Sequence, residues 1–213
     1  MVDRIKFRPA TIEDAPGCVS LIYQTMGDYA DFLFGLGSYS RAIQVIDQLY
    51  RAENNRFSYQ FTDLAEIDGR VAGLLLSYPG RYLELSKVTL ARQLLSIYGV
   101  IDLMRFVRNE LLTSPAKEAA ADEYFINNVA VVEELRGQGI GRCLLEFAER
   151  KALAAGLTKC SLTVDFGNEE AISLYERIGY KKMATIHEKL LPSKIHYHGY
   201  HRMVKNLYPV ANP

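Results

Sequence analysis

The stretch Arg136-Gly137-Gln138-Gly139-Ile140-Gly141-Arg142 sets three alternating glycines between two unlike patterns. Before it, Tyr124 to Val132 is a nearly continuous β-prone run, the pattern of a strand covered on both faces. After it, Gly139 to Ala155 carries Ile140, Cys143, Leu144, Phe147 and Ala148 on one helical face and ends at Gly156. Strand, glycine loop and amphipathic helix in that order point to a layered α/β domain. Glycines let the backbone come close to a ligand, and a helix start offers free N–H groups and a positive dipole. The loop therefore reads as a seat for a phosphate or diphosphate; the plain alternative is a turn without a ligand.

A length of 213 residues suits one domain with an insertion. Ile5 to Arg8 alternates as a first strand and stops at Pro9. Thr11, with Asp14 three residues on, caps a helix through Val19, Leu21, Ile22 and Met26, and Ser40 to Arg51 reads as a second. Tyr59 to Ile67 and Val71 to Tyr78, joined by Asp68-Gly69, form a hairpin signal. Residues 79–123 are expected to be a helical insertion between the third and fourth strands. Leu83 to Leu112 supplies its helices, with a break at Gly99, and Lys117 to Asp122 a linker. Such a segment is expected to border a substrate pocket, to cover the core or to make a dimer contact. Ser161 to Val164 is a further strand. Asn168 caps a helix whose apolar stripe is Ala171, Leu174 and Ile178. Lys182 to Leu190 and Tyr197 to Val204 complete the strands, and residues 208–213 read as a loose tail.

Lys+Arg and Asp+Glu both number 25, so no general attraction to nucleic acid or to a membrane surface is expected. The longest uncharged run in the apolar segment, Gln93 to Ile101, is too short to span a bilayer. Cys18, Cys143 and Cys160 lack metal-ligand spacing and fit a reduced, cytoplasmic setting. The start Met1-Val2-Asp3-Arg4 has no apolar run of the secretory kind. His196, His198 and His201 invite a metal, but no third ligand of clear spacing completes a site, so none is expected.

Two phosphate-loop chemistries fit poorly. A Walker loop needs a Gly-Lys-Ser/Thr ending, which is absent. A dinucleotide fingerprint needs its third glycine where Arg142 stands, and Val132 to Leu135 separates strand from loop. Asp165 could imitate a ribose-binding acid, which keeps a nicotinamide oxidoreductase as a remote alternative.

Arg136, Gly139 and Gly141 match the pattern Arg/Gln-x-x-Gly-x-Gly/Ala, and Val129-Ala130-Val131 stands where Leu-Ala-Val commonly precedes it. Asn168, Ala171, Leu174 and Tyr175, followed by Gly179-Tyr180, match Asn-x-x-Ala-x-x-Leu-Tyr and Gly-Tyr/Phe. Over Tyr124 to Tyr180 the chain thus resembles the GCN5-related N-acetyltransferase (GNAT) family. The resemblance implies one α/β domain over 1–207, with a mixed central sheet splayed near its fourth strand and helices on both faces. It implies acetyl-CoA as cosubstrate without a metal, and direct acetyl transfer to a small-molecule or peptide amine in a ternary complex. A homodimer stays open.

By that resemblance the backbone of Gly137, Gln138, Gly139, Ile140, Gly141 and Arg142, with Arg136, would hold the diphosphate. Val129, Ala130 and Val131 would pair with the pantetheine arm, an N–H near Val131 would polarise the thioester, and Asn168 would contact the coenzyme. Tyr175, seven residues beyond Asn168 on the same helix face, would protonate the departing thiolate. Where many relatives have a carboxylate as base, this chain has Asn127; an amide cannot take the proton but can hold a water that does. Asp122, Glu123 and Asp165 are the neighbouring carboxylates. A catalytically silent acyl-CoA sensor is the alternative reading.

Overall fold

The computed structural model describes residues 4–113, 117–188, 190–192 and 195–207. A seven-stranded sheet runs in the order β1 (Lys6–Pro9), β2 (Thr62–Ile67), β3 (Arg70–Pro79), β4 (Tyr124–Val131), β5 (Lys159–Asp165), β7 (Gly199–Asn206), β6 (Lys181–His187). Neighbours are antiparallel except β4 and β5, which are parallel. Parallel neighbours need a crossover, and α6 (Ile140–Ala154) supplies it.

Side chains alternate across the sheet and give two cores. Leu64, Leu74, Leu76, Tyr78 and Phe125 pack against α1 (Ala15–Met26), α2 (Asp28–Leu33) and α3 (Tyr39–Arg51). Ala65, Leu75, Tyr124, Ile126 and Val164 pack on the other face with α6 and α7 (Glu169–Arg177). At the entry to α1, the Thr11 N–H donates to the Asp14 carboxylate at 2.7 Å, closing the cap expected from sequence. Arg8 clamps the same carboxylate from β1 at 2.7 and 2.8 Å. In the β2–β3 turn both Asp68 and Gly69 have positive φ, 52° and 75°, as the tight hairpin requires.

Between β3 and β4 stand α4 (Arg81–Leu85) and α5 (Lys87–Glu110). Helix α5 breaks at Gly99, whose φ of 67° and ψ of −177° are essentially reserved for glycine. Both halves are pinned to the α2 region: the Tyr98 hydroxyl donates to the Phe34 carbonyl at 2.5 Å, and Asn109 to that of Phe32 at 2.7 Å. Leu94, Tyr98 and Phe106 are buried, but Leu95, Val100, Ile101, Met104 and Val107 stay exposed, so among the described residues only part of the apolar surface of this helix is covered.

Other differences from the sequence reading are local. Helix α2 was not expected. It has six residues, too few to show a helical period, and is held by burial of Ala30, Phe32 and Leu33. The last strands are Lys181–His187 and Gly199–Asn206, so His196 and His198 lie before β7, which begins at Gly199 with φ 135°. On α7 the buried residues are Ile172 and Tyr175; Ala171, Leu174 and Ile178 are only half-buried. The 208–213 tail lies outside the described residues. Among those described, no helix is long and apolar enough to cross a membrane.

Replacing Gly99 by Ala should lower stability by roughly 1–3 kcal/mol, because both halves of α5 are fixed and the kink cannot relax. Urea denaturation of the variant checks this; an unchanged midpoint would show that the kink is not imposed.

Candidate active site

The centre of the site is an irregularity in β4. Opposite β3 the register runs Leu76↔Asn128 and then Ser77↔Ile126, so Asn127 is one extra residue. Such a bulge puts two successive side chains on one face and bends the strand. Asn127 and Asn128 both turn toward the N-terminal helices: Asn127 Oδ1 accepts from Arg56 at 2.6 Å and from the Tyr78 hydroxyl at 2.9 Å, while Asn128 donates to Thr25 of α1 at 2.6 Å. Pairing with β5 stops one residue earlier, at Ile126↔Leu162. From Asn127 onward β4 diverges from β5 and the sheet opens.

A cleft of about 2030 Å³ occupies this opening. Val129, Ala130 and Val131 line it from β4, and Gly137, Gly139, Ile140, Gly141 and Arg142 from the loop and the start of α6. Gly137 and Gly139 have φ of 74° and 85°, which other residues adopt poorly. Gly141 is different: a Cβ there would meet only Leu174 and Val131, at 3.6 and 3.7 Å, so its smallness keeps the cleft wide rather than the loop unstrained. Arg136 reaches the Val131 carbonyl at 3.4 Å, Arg142 is held by Glu146 at 2.7 Å, and the Gln138 side chain turns back to the Glu134 carbonyl at 3.4 Å. Ile140 is buried, so it can offer a ligand only its backbone.

Helix α7 forms the opposite wall with Asn168, Ala171, Leu174, Tyr175 and Ile178. The half-buried apolar stripe thus faces the cleft. Asn168 Oδ1 accepts from the Ala171 N–H at 3.1 Å, the expected cap. Burial pushes the Tyr175 phenol up to about 12, so it stays protonated across the neutral range.

The candidate bases separate. Asp122 and Glu123 are not among the residues lining the cleft. Asp122 is exposed and pairs with Lys159 at 2.8 Å. Glu123 is buried, takes both 2.5 Å bonds from Arg202 and accepts the Ala120 N–H at 2.9 Å. Burial opposes its charge, but that N–H and Arg202 outweigh burial and hold the carboxyl below the usual range. Both of its oxygens are thus engaged by other groups of the fold. Asp165 does line the cleft and accepts the Gly167 N–H at 2.6 Å. The carbonyl of Asn127, which a water would need as acceptor, is already filled by two donors.

Several lining residues gave no sequence signal. Arg56, in the loop before β2, bridges Asn127 and Glu118, the latter at 2.5 Å. Tyr29, Tyr197, Tyr200 and Glu188 also line the cleft, with the Tyr29 and Tyr197 rings in contact. Of the His196-Tyr197-His198 triplet it is the tyrosine that reaches it. His201 instead contacts Thr185 at 3.0 Å and the Phe166 ring.

Glu123→Gln should cost roughly 3 kcal/mol at neutral pH, the low end for a buried pair stripped of one partner, since the Arg202 side chain keeps 16% exposure. A depressed carboxylate stabilises above its ordinary pKa, and that share fades as the pH falls through its lower folded value. The gap between wild type and variant in urea midpoints should therefore narrow in acid; a gap constant with pH would contradict the assignment.

The acetyltransferase (GNAT) family model matches residues 28–180. Among solved structures, a crystal structure described as an acetyltransferase is 26% identical, with 95% of this chain and 100% of that one covered at a TM-score of 0.69. An N-acetyltransferase from Staphylococcus aureus Mu50 is 24% identical over 93% and 99%, TM-score 0.66. A GNAT acetyltransferase from Elizabethkingia anophelis with acetyl-CoA bound shares the fold at 15% identity over 96% and 99%, TM-score 0.56. With the glycine loop, the opened sheet and the Asn168 to Tyr175 helix in one cleft, the chain belongs to the GNAT acetyltransferase family.

Proposed function

We propose that the protein transfers an acetyl group from acetyl-CoA to an amine by direct attack within a ternary complex. The observation that carries this reading is that the β4 opening, the Gly137 to Gly141 loop and Tyr175 line one cleft. The residues suit the coenzyme. The loop sets backbone N–H groups at the start of α6 for a diphosphate, and the free length of β4 from Val129 to Val131 offers peptide groups to the pantetheine arm. A neighbour of the same fold carries acetyl-CoA, which supports the assignment.

Acetyl-CoA would supply an activated thioester; everything else falls to the chain. A backbone N–H near Val131 would stabilise the oxyanion, an effect typically worth ~3–4 kcal/mol. The amine nitrogen gains the acetyl group and loses a proton, and the sulfur departs as a thiol. Tyr175 would donate its hydroxyl hydrogen bond to the sulfur. With its pKa near 12 it holds its proton more tightly than a thiol does, so it steadies the thiolate while the proton released by the amine completes the exchange. With the Asn127 carbonyl filled, the amine enters neutral or loses its proton to water or Asp165. The filled amide also favours a second reading, a silent acyl-CoA sensor; steady CoA release with a panel of amines separates the two. A reduced cytoplasmic setting belongs to the same proposal and agrees with three free cysteines.

Gly141→Val, whose Cβ meets Leu174 and Val131 at ordinary contact distances, should weaken CoA binding at least tenfold, about 1.4 kcal/mol, in protein shown to be folded by its thermal melting. Calorimetry giving unchanged affinity would remove the loop from the coenzyme site. Tyr175→Phe, which removes one donor to a developing anion, should lower turnover by roughly 10²-fold and change acetyl-CoA affinity far less. Wild-type turnover should show no alkaline fall from this phenol below about pH 10, because burial raises its pKa. Equal turnover of both proteins, with chemistry limiting, would exclude Tyr175 from the reaction.

A further inference from the structure

The second half of α5 is anchored by its inner face. Asp102 takes the Arg41 guanidinium at 2.5 Å, Phe106 stacks on Phe34 with ring centroids 5.8 Å apart, and Asn109 holds the Phe32 carbonyl at 2.7 Å. These ties to α3 and the α2 region keep the helix from turning about its axis. On the outer face Val100, Met104, Val107 and, at the C-cap, Leu111 follow at intervals of four, three and four residues, one unbroken stripe on a helix. Among the described residues these four and Ile101 beside them keep between 44% and 76% of their surface exposed. Met104, Val107 and Leu111, with the half-buried Leu103 and Leu112, line a shallow groove. Five such side chains leave roughly 500 Å² of apolar surface in one patch, near the upper end for a monomer's largest.

The stripe has a symmetry that singles out its partner. Intervals of four, three and four read the same in both directions. Laid antiparallel on an identical helix, Val100 falls opposite Leu111 and Met104 opposite Val107. Each layer then sets a compact β-branched valine against a longer side chain, the large-against-small match that lets facing layers interdigitate. A parallel pair would set valine on valine and leucine on leucine instead. Two copies of the patch together come to about 1,000 Å², the size at which a specific interface begins. Arg105, Arg108 and Glu110 stand exposed beside the stripe and form a polar rim. We propose that a second copy of this chain covers the stripe, the two α5 helices pairing antiparallel about a two-fold axis between Met104 and Val107. Two-fold closure of this kind is the commonest form of soluble oligomer. Val107 and Leu111 also line the cleft, so the second copy stands at its edge. The pairing does not depend on acetyl transfer.

Sedimentation velocity of the full chain over a range of concentrations should show a dimer with a micromolar or tighter dissociation constant. Met104→Glu enters a two-fold interface twice, sets a carboxylate against each facing valine, and should weaken association at least about a hundredfold. Because Met104 is exposed in the single chain, this variant should melt with the wild type. Val100→Glu is the second probe and should act alike; it is also exposed, and it lies in the first turn after the Gly99 break, where a carboxylate suits the helix dipole. Adding Val107→Lys to Met104→Glu brings each lysine opposite the partner's glutamate only when the helices run antiparallel, and this double variant should regain the dimer. A wild-type chain that stays monomeric, a dimer indifferent to both glutamates, or a double variant that stays monomeric would each overturn the pairing.

Discussion

One extra residue in β4 governs the rest of the molecule. Without Asn127 the strand would keep its alternation, pair with β5 along its whole length and close the sheet. With it, pairing ends at Ile126↔Leu162, and the strand bends away with its peptide groups unspent toward β5. In the sheet interior that exposure would be costly. Here it lies on a cleft, where a ligand with its own amides can satisfy it. The glycine loop follows where the divergent strand ends, and α6 begins there.

The bulge also creates a polar face that must be satisfied. Two adjacent asparagines point into a helix-covered side of the sheet where an alternating strand would place one. Thr25, Tyr78 and Arg56 answer them, and Arg56 recruits Glu118 in turn. The network is not complete, since the buried Arg56 Nε has no hydrogen-bond partner, and a partly bonded network is costly. The same network lines the cleft. Helix α1 and the loop before β2 are therefore more than cover for a core, since they hold groups the bulge demands. Helix α7 shows the converse economy. Ile172 and Tyr175 bind it to the core, while Ala171, Leu174 and Ile178 line the cleft, so one short helix serves as both wall and anchor.

The sequence by itself determined what depends on near neighbours in the chain. Asp68-Gly69 specified the hairpin because two left-handed residues admit few alternatives. The Thr11–Asp14 and Asn168 caps were legible because a cap bonds within three residues, and the Gly99 break because its alternatives in an apolar helix are few. The glycine loop and the Asn168 to Tyr175 spacing pointed to the family for the same reason: each is a short, contiguous device. What only the tertiary structure decided involves partners far apart. Helix α2 lacks a period of its own and exists by burial. Glu123 looks like any strand-end carboxylate until Arg202, 79 positions away, claims it. Arg56, Glu118, Tyr29 and Tyr197 share no motif and meet only once α2, the loop before β2, the connection into β4 and the segment before β7 are folded together. The bulge itself was hidden for the same physical reason: a register is a relation between two strands, and no single run of residues records which of them carries one residue too many.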